Sequence, residues 1–306
     1  MKAFLTGAAG FVGAATLQAL LADGHEVAAP VRPGSAAPRL AAFEDRYRRL
    51  DVDLRDADGI AAAVAAFRPE CVIHLAWWGV ANNARFERRQ IAENLDAACA
   101  LVEAAAAAGA SSFVGIGSQG EYGRVGSMRE DALPEPTTLY GASKLAALFL
   151  TRQLAAQAGM RHAWGRIFST YGPGDNDGWL IPTLINAMLA GHRPQVTLGT
   201  QYWDWLYVED VARAIVAMAT TPSATGIFNI GSGQPVTVRS VIETLRDLAA
   251  PDMELVFGEI PFRPDQVMHM KADIARLTAM TDWRPRISID EGLSRTVAAM
   301  RGIIRT

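Results

Sequence analysis

A tyrosine and a lysine four residues apart, in Tyr140-Gly141-Ala142-Ser143-Lys144, are the groups in this chain best suited to proton chemistry. Positions four apart share one face of a helix, so the phenol and the ammonium project into the same space. A phenol with an ordinary pKa of about 10 is a poor acid or base at neutral pH, and a fixed cation nearby favours the phenolate. That makes Tyr140 a usable proton donor. Ser118, in Gly117-Ser118-Gln119-Gly120-Glu121-Tyr122-Gly123, follows an apolar run that reads as a strand. A hydroxyl leaving the carboxyl end of a central strand points into the crevice where ligands bind, so Ser118 is placed to hydrogen-bond the substrate oxygen that Tyr140 protonates.

Such groups need a rigid frame, and it begins at the N-terminus. An apolar run, Ala3 to Leu5, leads into Thr6-Gly7-Ala8-Ala9-Gly10-Phe11-Val12-Gly13 and then a helix-patterned stretch from Ala14 to Leu21. Strand, glycine turn and helix in this order set backbone N–H groups and a helix N-terminus against a pyrophosphate. Gly7 permits the tight turn, Gly10 lets backbone approach phosphate, and Gly13 lets the helix pack close to the strand. The spacing is GxxGxxG, not the GxGxxG of the standard fingerprint.

Further strands are expected at Glu26 to Val31, Arg46 to Val52, Cys71 to Ala76, Ser112 to Gly117 and His162 to Phe168. Alanine-rich stretches of helical composition, Ile60 to Phe67, Ile91 to Ala108 and Tyr140 to Ala158, alternate with them. This alternation predicts an α/β fold, a Rossmann-like doubly wound parallel sheet covered on both faces, with a smaller mixed α/β C-terminal substrate lobe. After Phe168 prolines and glycines crowd Tyr171-Gly172-Pro173-Gly174, and a short helix follows near Pro182 to Leu189. Trp205 to Ala219 reads as a strand and helix returning to the sheet, while Phe228 to Gly233 and a helix from Val238 to Leu248 read as parts of the smaller lobe. The dinucleotide unit is therefore drawn over 1–168 plus about 202–221, and the substrate lobe over 169–201 plus 222–306.

Composition removes several classes of partner. With 29 basic and 32 acidic residues in 306, the chain has no basic excess for nucleic acid or an anionic membrane. No apolar stretch reaches the ~18 residues of a membrane span. The first strand starts at the first residues, so no signal peptide is expected. Cys71 and Cys99 lack CxxC spacing and read as free thiols of a reducing cytoplasm. His25, His74, His162, His192 and His269 show no paired ligand spacing, and no metal is expected.

The second strand discriminates between dinucleotides. An NAD site usually places an acid near its end, but Val31-Arg32-Pro33-Gly34-Ser35 has none. Arg32 could instead pair with a 2′-phosphate, which favours NADP(H) and leaves NAD(H) open. Asp53 is a candidate to accept from the adenine amino group, or else a turn or cap acid.

Taken together these pieces resemble an extended short-chain dehydrogenase/reductase of the branch that acts on nucleotide sugars. The matching residues are Gly7, Gly10 and Gly13; Asp53-Leu54; His74-Leu75-Ala76; Asn94; Ser118 with Tyr122-Gly123; Tyr140 and Lys144; Arg166 with Tyr171-Gly172-Pro173-Gly174; Tyr207-Val208-Glu209-Asp210-Val211; Asn229-Ile230-Gly231; and Trp283 with Pro285. The resemblance implies that Ser118, Tyr140 and Lys144 form the catalytic set, with Lys144 also gripping the nicotinamide ribose. Phe11, Val12, Leu54, Leu75, Ala76 and Asn94 complete the implied cofactor site. A nucleotide-diphosphate sugar is the implied partner, its diphosphate on Arg263 of Phe262-Arg263-Pro264-Asp265. Trp179 and Leu180 to Pro182 would wall its base. A homodimer through Ile91 to Ala108 and Tyr140 to Ala158 is implied as well.

Departures from the family pattern narrow the reaction. Sugar 4,6-dehydratases carry an Asp-Glu pair directly after the catalytic hydroxyl, where this chain has Gln119 and Gly120. Neither can do acid–base work, and Glu121 stands one place too late. In Gln201-Tyr202-Trp203-Asp204-Trp205, Trp203 replaces an arginine that contacts phosphate in relatives. Trp77, Trp78 and Asn82-Asn83 lie where the sugar should be, and aromatic faces suit the apolar patch of a deoxy sugar. Three classes remain. The first is NADPH-dependent reduction of a nucleotide-linked 4-keto-6-deoxyhexose at carbon 4. The second is 4-epimerisation on a retained cofactor. The third is a non-catalytic dinucleotide sensor, which intact Tyr140 and Lys144 disfavour.

Overall fold

The computed structural model describes residues 1–81, 83–123, 127–263 and 266–304. The first part of the chain runs β1 (Lys2–Thr6), α1 (Phe11–Ala22), β2 (Glu26–Val31), β3 (Arg48–Asp51), α2 (Ala57–Phe67), β4 (Cys71–His74), α3 (Arg89–Ala107), β5 (Ser112–Ser118), β6 (Ser127–Met128), α4 (Leu139–Gln157) and β7 (Arg161–Ile167). The remainder runs β8 (Ser169–Tyr171), α5 (Leu180–Leu189), β9 (Tyr202–Trp203), β10 (Trp205–Tyr207), α6 (Val208–Thr220), β11 (Gly226–Ile230), β12 (Val236–Thr237), α7 (Val238–Ala249), β13 (Lys271–Ala272), α8 (Ala275–Thr281) and α9 (Ile289–Ile304).

Seven strands form one parallel sheet in the order β11-β7-β5-β4-β1-β2-β3. Side chains alternate across it as the pleat requires. Ala3 and Leu5 join Leu17 and Leu20 of α1 and Val211 and Ile215 of α6 in the core on one face. Phe4, between them, joins Ile60 and Val64 of α2 and Leu101 and Val102 of α3 on the other. Both faces are thus covered, which explains why the strands read as nearly continuous apolar runs. The chain reverses its winding direction between β1 and β4, and at their carboxyl ends Thr6 Oγ1 and His74 Nδ1 lie 2.8 Å apart. A crevice outside this switch point is where open α/β sheets bind ligands.

Two expectations about the second half need correcting. Trp205 to Tyr207 does not return to the main sheet: it pairs with β8 in a separate two-stranded sheet, and only α6 comes back, packing on the face that α1 covers. Gly226 to Ile230, assigned by sequence to the smaller lobe, is the edge strand of the main sheet, in register with Ala163 to Ile167. Its Phe228 and Ile230 are wholly buried in the same core as α6, so apolar burial, not chain order, decides where the segment lies. The smaller lobe has its own core, in which Ile185 of α5, Ile242 and Leu245 of α7 and Leu293 of α9 pack around Tyr171.

Candidate functional site

The glycine turn is as tight as its composition requires. Gly7 has φ +76°, and a Cβ there would stand 2.6 Å from the Ala76 nitrogen on the neighbouring strand end. A Cβ on Gly13 would overlap the Gly7 carbonyl oxygen, so α1 lies directly on the turn. Gly10 caps α1 with no side-chain hydrogen bond, and no acidic residue occupies the first helical turn. The helix N-terminus therefore presents backbone N–H groups and positive dipole to whatever anion enters, and the cradle fits a dinucleotide pyrophosphate. Arg39 braces it. Its guanidinium donates to the carbonyls of Ala9 (3.5 Å) and Gly174 (2.9 Å) and to Asn176 Oδ1 (3.1 Å), tying the cradle to the loop before α5.

At the far edge, Asp53 is ionised well below its usual range, at about 2, chiefly through its hydrogen bonds with Arg55. Arg55 Nη2 lies 2.9 Å and Arg32 Nε 3.4 Å from the same Asp53 oxygen. Asp53 is not the cap of α2, because Asp56 takes that role by accepting from the Gly59 N–H. Arg32 keeps 72% of its side chain exposed.

The carboxyl end of β5 turns sharply after Ser118. Ser118 Oγ accepts from the Gly120 N–H at 3.1 Å, and Glu121 reaches back to the Ser118 N–H at 2.9 Å, a capping box. Glu121 also accepts from Trp164 Nε1 (3.1 Å) and pairs with Arg166 (2.7 Å), both wholly interior. The one-residue displacement noted in the sequence thus takes this carboxylate away from the crevice and into the core. Thr138 caps α4 through the Gly141 N–H, and a Cβ on Gly141 would collide with the Gly120 carbonyl. The start of α4 is thereby pressed against the serine turn. A Cβ built on Gly120 would lie 3.5 Å from Ser118 Oγ and 3.6 Å from the Tyr140 ring, so the hydroxyl and the tyrosine ring both flank Gly120.

The electrostatics differ from the simple tyrosine–lysine reading. Burial raises the Tyr140 phenol, and the neighbouring Ser118 hydroxyl and the charge of Arg85 oppose that rise. Lys144 is held by other groups. Its ammonium donates to the Ile116 carbonyl of β5 at 2.6 Å and sits over the Trp77 ring at 3.8 Å. Burial pulls Lys144 down to about 7, with Glu121 partly restoring it. The Arg85 guanidinium stands 5.0 Å from the Tyr140 ring centre and 5.6 Å from that of Trp179.

One cavity of about 1200 Å³ is lined by the residues the sequence assigned to the site: the cradle with Phe11 and Val12; Arg32, Asp53 and Leu54; Leu75, Ala76, Trp77 and Trp78; Asn94; Ser118 and Gln119; Tyr140 and Lys144; Trp179; and Arg263. Several do more specific work than expected. Asn94 is engaged with protein, accepting from the Trp78 N–H at 2.7 Å and donating to the Trp78 carbonyl at 3.2 Å. Trp203 fills the place of the missing arginine, its indole N–H donating to the Val267 carbonyl at 2.9 Å. Arg263 is exposed at the rim. Asn82, Pro264 and Asp265 lie outside the described residues. Sequence reasoning missed Arg39, Arg85 and Gln90, none of which belongs to a motif. Among the described residues no group of histidines, cysteines or acids could hold a metal.

A doubly wound sheet with a glycine cradle at its switch point and a serine, tyrosine and lysine across the crevice is the architecture of the extended short-chain dehydrogenases/reductases. The chain belongs to the NAD dependent epimerase/dehydratase family, whose model matches residues 3–231. It is 30% identical to the GDP-6-deoxy-D-mannose reductase of Pseudomonas aeruginosa, over 99% of this chain and 98% of that protein. It is 28% identical to the UDP-glucose 4-epimerase of Mycolicibacterium smegmatis, over 98% and 99%. Among solved structures it superposes on the Thermus thermophilus UDP-glucose 4-epimerase in complex with NAD, with a TM-score of 0.86, 27% identity and 99% of each chain covered.

Proposed function

We propose that this protein reduces a nucleotide-linked 4-keto-6-deoxyhexose at carbon 4 with NADPH. The observation that carries the reading is the convergence of Ser118 Oγ and the Tyr140 ring around Gly120, within a cavity that continues to the glycine cradle. A bound nicotinamide would supply the hydride to the carbonyl carbon. The cradle at Gly7, Gly10 and Gly13 and the N-terminus of α1 would hold the cofactor's pyrophosphate. Ser118 donates a hydrogen bond to the carbonyl oxygen, and Tyr140 gives it a proton, leaving a phenolate that solvent reprotonates. Lys144 would grip the nicotinamide ribose of the bound cofactor. Gln119 and Gly120 lack the acid and base that loss of water would need, and Glu121 is committed to Arg166. The GDP-6-deoxy-D-mannose reductase relative supports a keto-sugar reductase.

Arg32 supports NADPH. Its contact with Asp53 is loose and exposed, and Asp53 retains Arg55 when Arg32 turns to a 2′-phosphate. A second reading, 4-epimerisation on a retained NAD, is favoured by one observation: the ionised Asp53 stands at the same edge, where it could accept from ribose hydroxyls. The substrate's diphosphate would meet Arg263, and its base the wall formed by Trp179. Because α3 and α4 leave Ile91, Phe149 and Leu150 exposed, the same reading makes the protein a homodimer. The reading also places it in the cytoplasm; among the described residues no helix is long and apolar enough to cross a membrane.

A screen of NADPH oxidation against nucleotide-linked 4-keto-6-deoxy sugars tests the reading. Stoichiometric consumption with one of them is expected. Purified protein that carries tightly bound NAD and interconverts two nucleotide sugars without added cofactor would replace reduction by epimerisation.

A further inference from the structure

We propose that Trp77 is a positioning residue for the catalytic pair, its indole face seating the Lys144 ammonium and its ring meeting the Tyr140 ring at a right angle. The inference rests on reading Tyr140 and Lys144 as the catalytic pair. Lys144 Nζ is 3.8 Å from the centre of the Trp77 ring, and that ring meets Tyr140 at 6.3 Å and 88°, edge to face. The indole is itself fixed. Its N–H donates to Gln90 Oε1 at 2.8 Å, and the wholly buried Gln90 donates onward to the carbonyls of Gly79 (2.6 Å) and Ala84 (3.0 Å). One turn further along α3, Asn94 grips both backbone polar groups of Trp78. The two adjacent tryptophans then diverge, since the Trp78 ring lies under Arg89 at 4.2 Å and only Trp77 faces the lysine.

A buried ammonium needs partners, and few are present. His74 of β4 is uncharged, its pKa lowered to about 3 by burial with Lys144 adding to the effect. Glu121 favours the charge but is bound to Arg166. Tyr140 is a neutral phenol, raised by burial. Among the described residues, that leaves the Ile116 carbonyl and the indole face as the direct contacts that hold the ammonium. Tryptophan is the strongest π partner for a cation, and the interaction is largest where water is excluded. With Lys144 at about 7, loss of the indole face lowers it further, and the charged form withdraws from the neutral range.

Only three lysines occur in the chain, Lys2, Lys144 and Lys271, so full-length protein labelled with [13Cε]lysine gives a spectrum in which each can be titrated, Lys144 being assigned by its loss in Lys144→Arg. Lys144 is expected to titrate in the neutral range. Trp77→Leu should lower its midpoint by about one pH unit, and Trp77→Phe, which keeps a ring, should recover at least half of that shift. If the leucine variant does not fold, the phenylalanine variant against the parent reads a smaller drop of the same sign. An unchanged midpoint in Trp77→Leu, or a rise toward ordinary lysine values as water enters a loosened loop, overturns the proposal. So does a phenylalanine variant no different from the leucine one. The titration needs no substrate. A midpoint that moves as expected in a protein inert toward every nucleotide sugar would therefore sink the reductase reading and leave the seat intact.

Discussion

In the proposed reaction Tyr140 releases a proton at neutral pH although burial raises its phenol, and two neighbours oppose that rise: the Ser118 hydroxyl and the Arg85 guanidinium 5.0 Å from the ring. Removing the cation in Arg85→Gln raises the phenol further. Reduction needs the protonated phenol and alcohol oxidation needs the phenolate, so the two directions respond differently. Arg85→Gln is expected to slow alcohol oxidation at pH 8 by roughly 3–10-fold, equivalent to about half to one pH unit. Reduction at the same pH should keep most of its rate. Parallel pH–rate profiles in both directions check this, and equal losses in each would mean that Arg85 does not act through the phenol. The tyrosine, serine and lysine were legible in the sequence because spacing on a helix and position at a strand end are local properties. Arg85 was not, because it reaches Tyr140 from a different loop with no pattern to mark it. The same holds for Gln90, whose role appears only once α3 is laid beside the Trp77 loop.

At the scale of elements, the site depends on the turn that joins β5 to α4. Glu121 closes the capping box, accepts from Trp164 and neutralises Arg166, all at zero or near-zero exposure. Replacing it leaves a buried guanidinium without its counter-charge, at a cost of about 3–5 kcal/mol. Glu121→Gln should therefore lower urea-unfolding stability by several kcal/mol at pH 7 while retaining cofactor binding in the fraction that folds. A loss under about 1 kcal/mol would contradict the assignment of Glu121 as the keystone of the turn. Most elements of the main sheet were readable from alternation, β2 to the residue. The misleading signal is the change in composition after Phe168, which suggests a lobe boundary. Pairing across a sheet is non-local, so nothing in Gly226 to Ile230 itself announces that it lies beside β7, whereas Trp205 to Tyr207, equally strand-like, pairs elsewhere.

For the whole molecule, a continuous cavity runs past the glycine cradle and the start of α5, and Arg39 ties these two parts through the Ala9 and Gly174 carbonyls. The outer faces of α3 and α4 expose Ile91, Phe149 and Leu150. If these faces pair two copies, a double Phe149→Glu, Leu150→Glu variant should sediment as a monomer at concentrations where the parent is a dimer. A monomeric parent would end the dimer proposal. In the proposed reaction one carbonyl carbon receives hydride while Ser118 and Tyr140 hold its oxygen. The most direct test is single-turnover transfer from NADPH deuterated at the transferable position to a nucleotide-linked 4-keto-6-deoxyhexose, in the parent and in Tyr140→Phe. Deuterium is expected on carbon 4, with a rate about 10²–10⁴-fold lower in the variant and NADPH bound equally well by both. Label at another carbon, or a variant that transfers deuterium as fast as the parent, would contradict it.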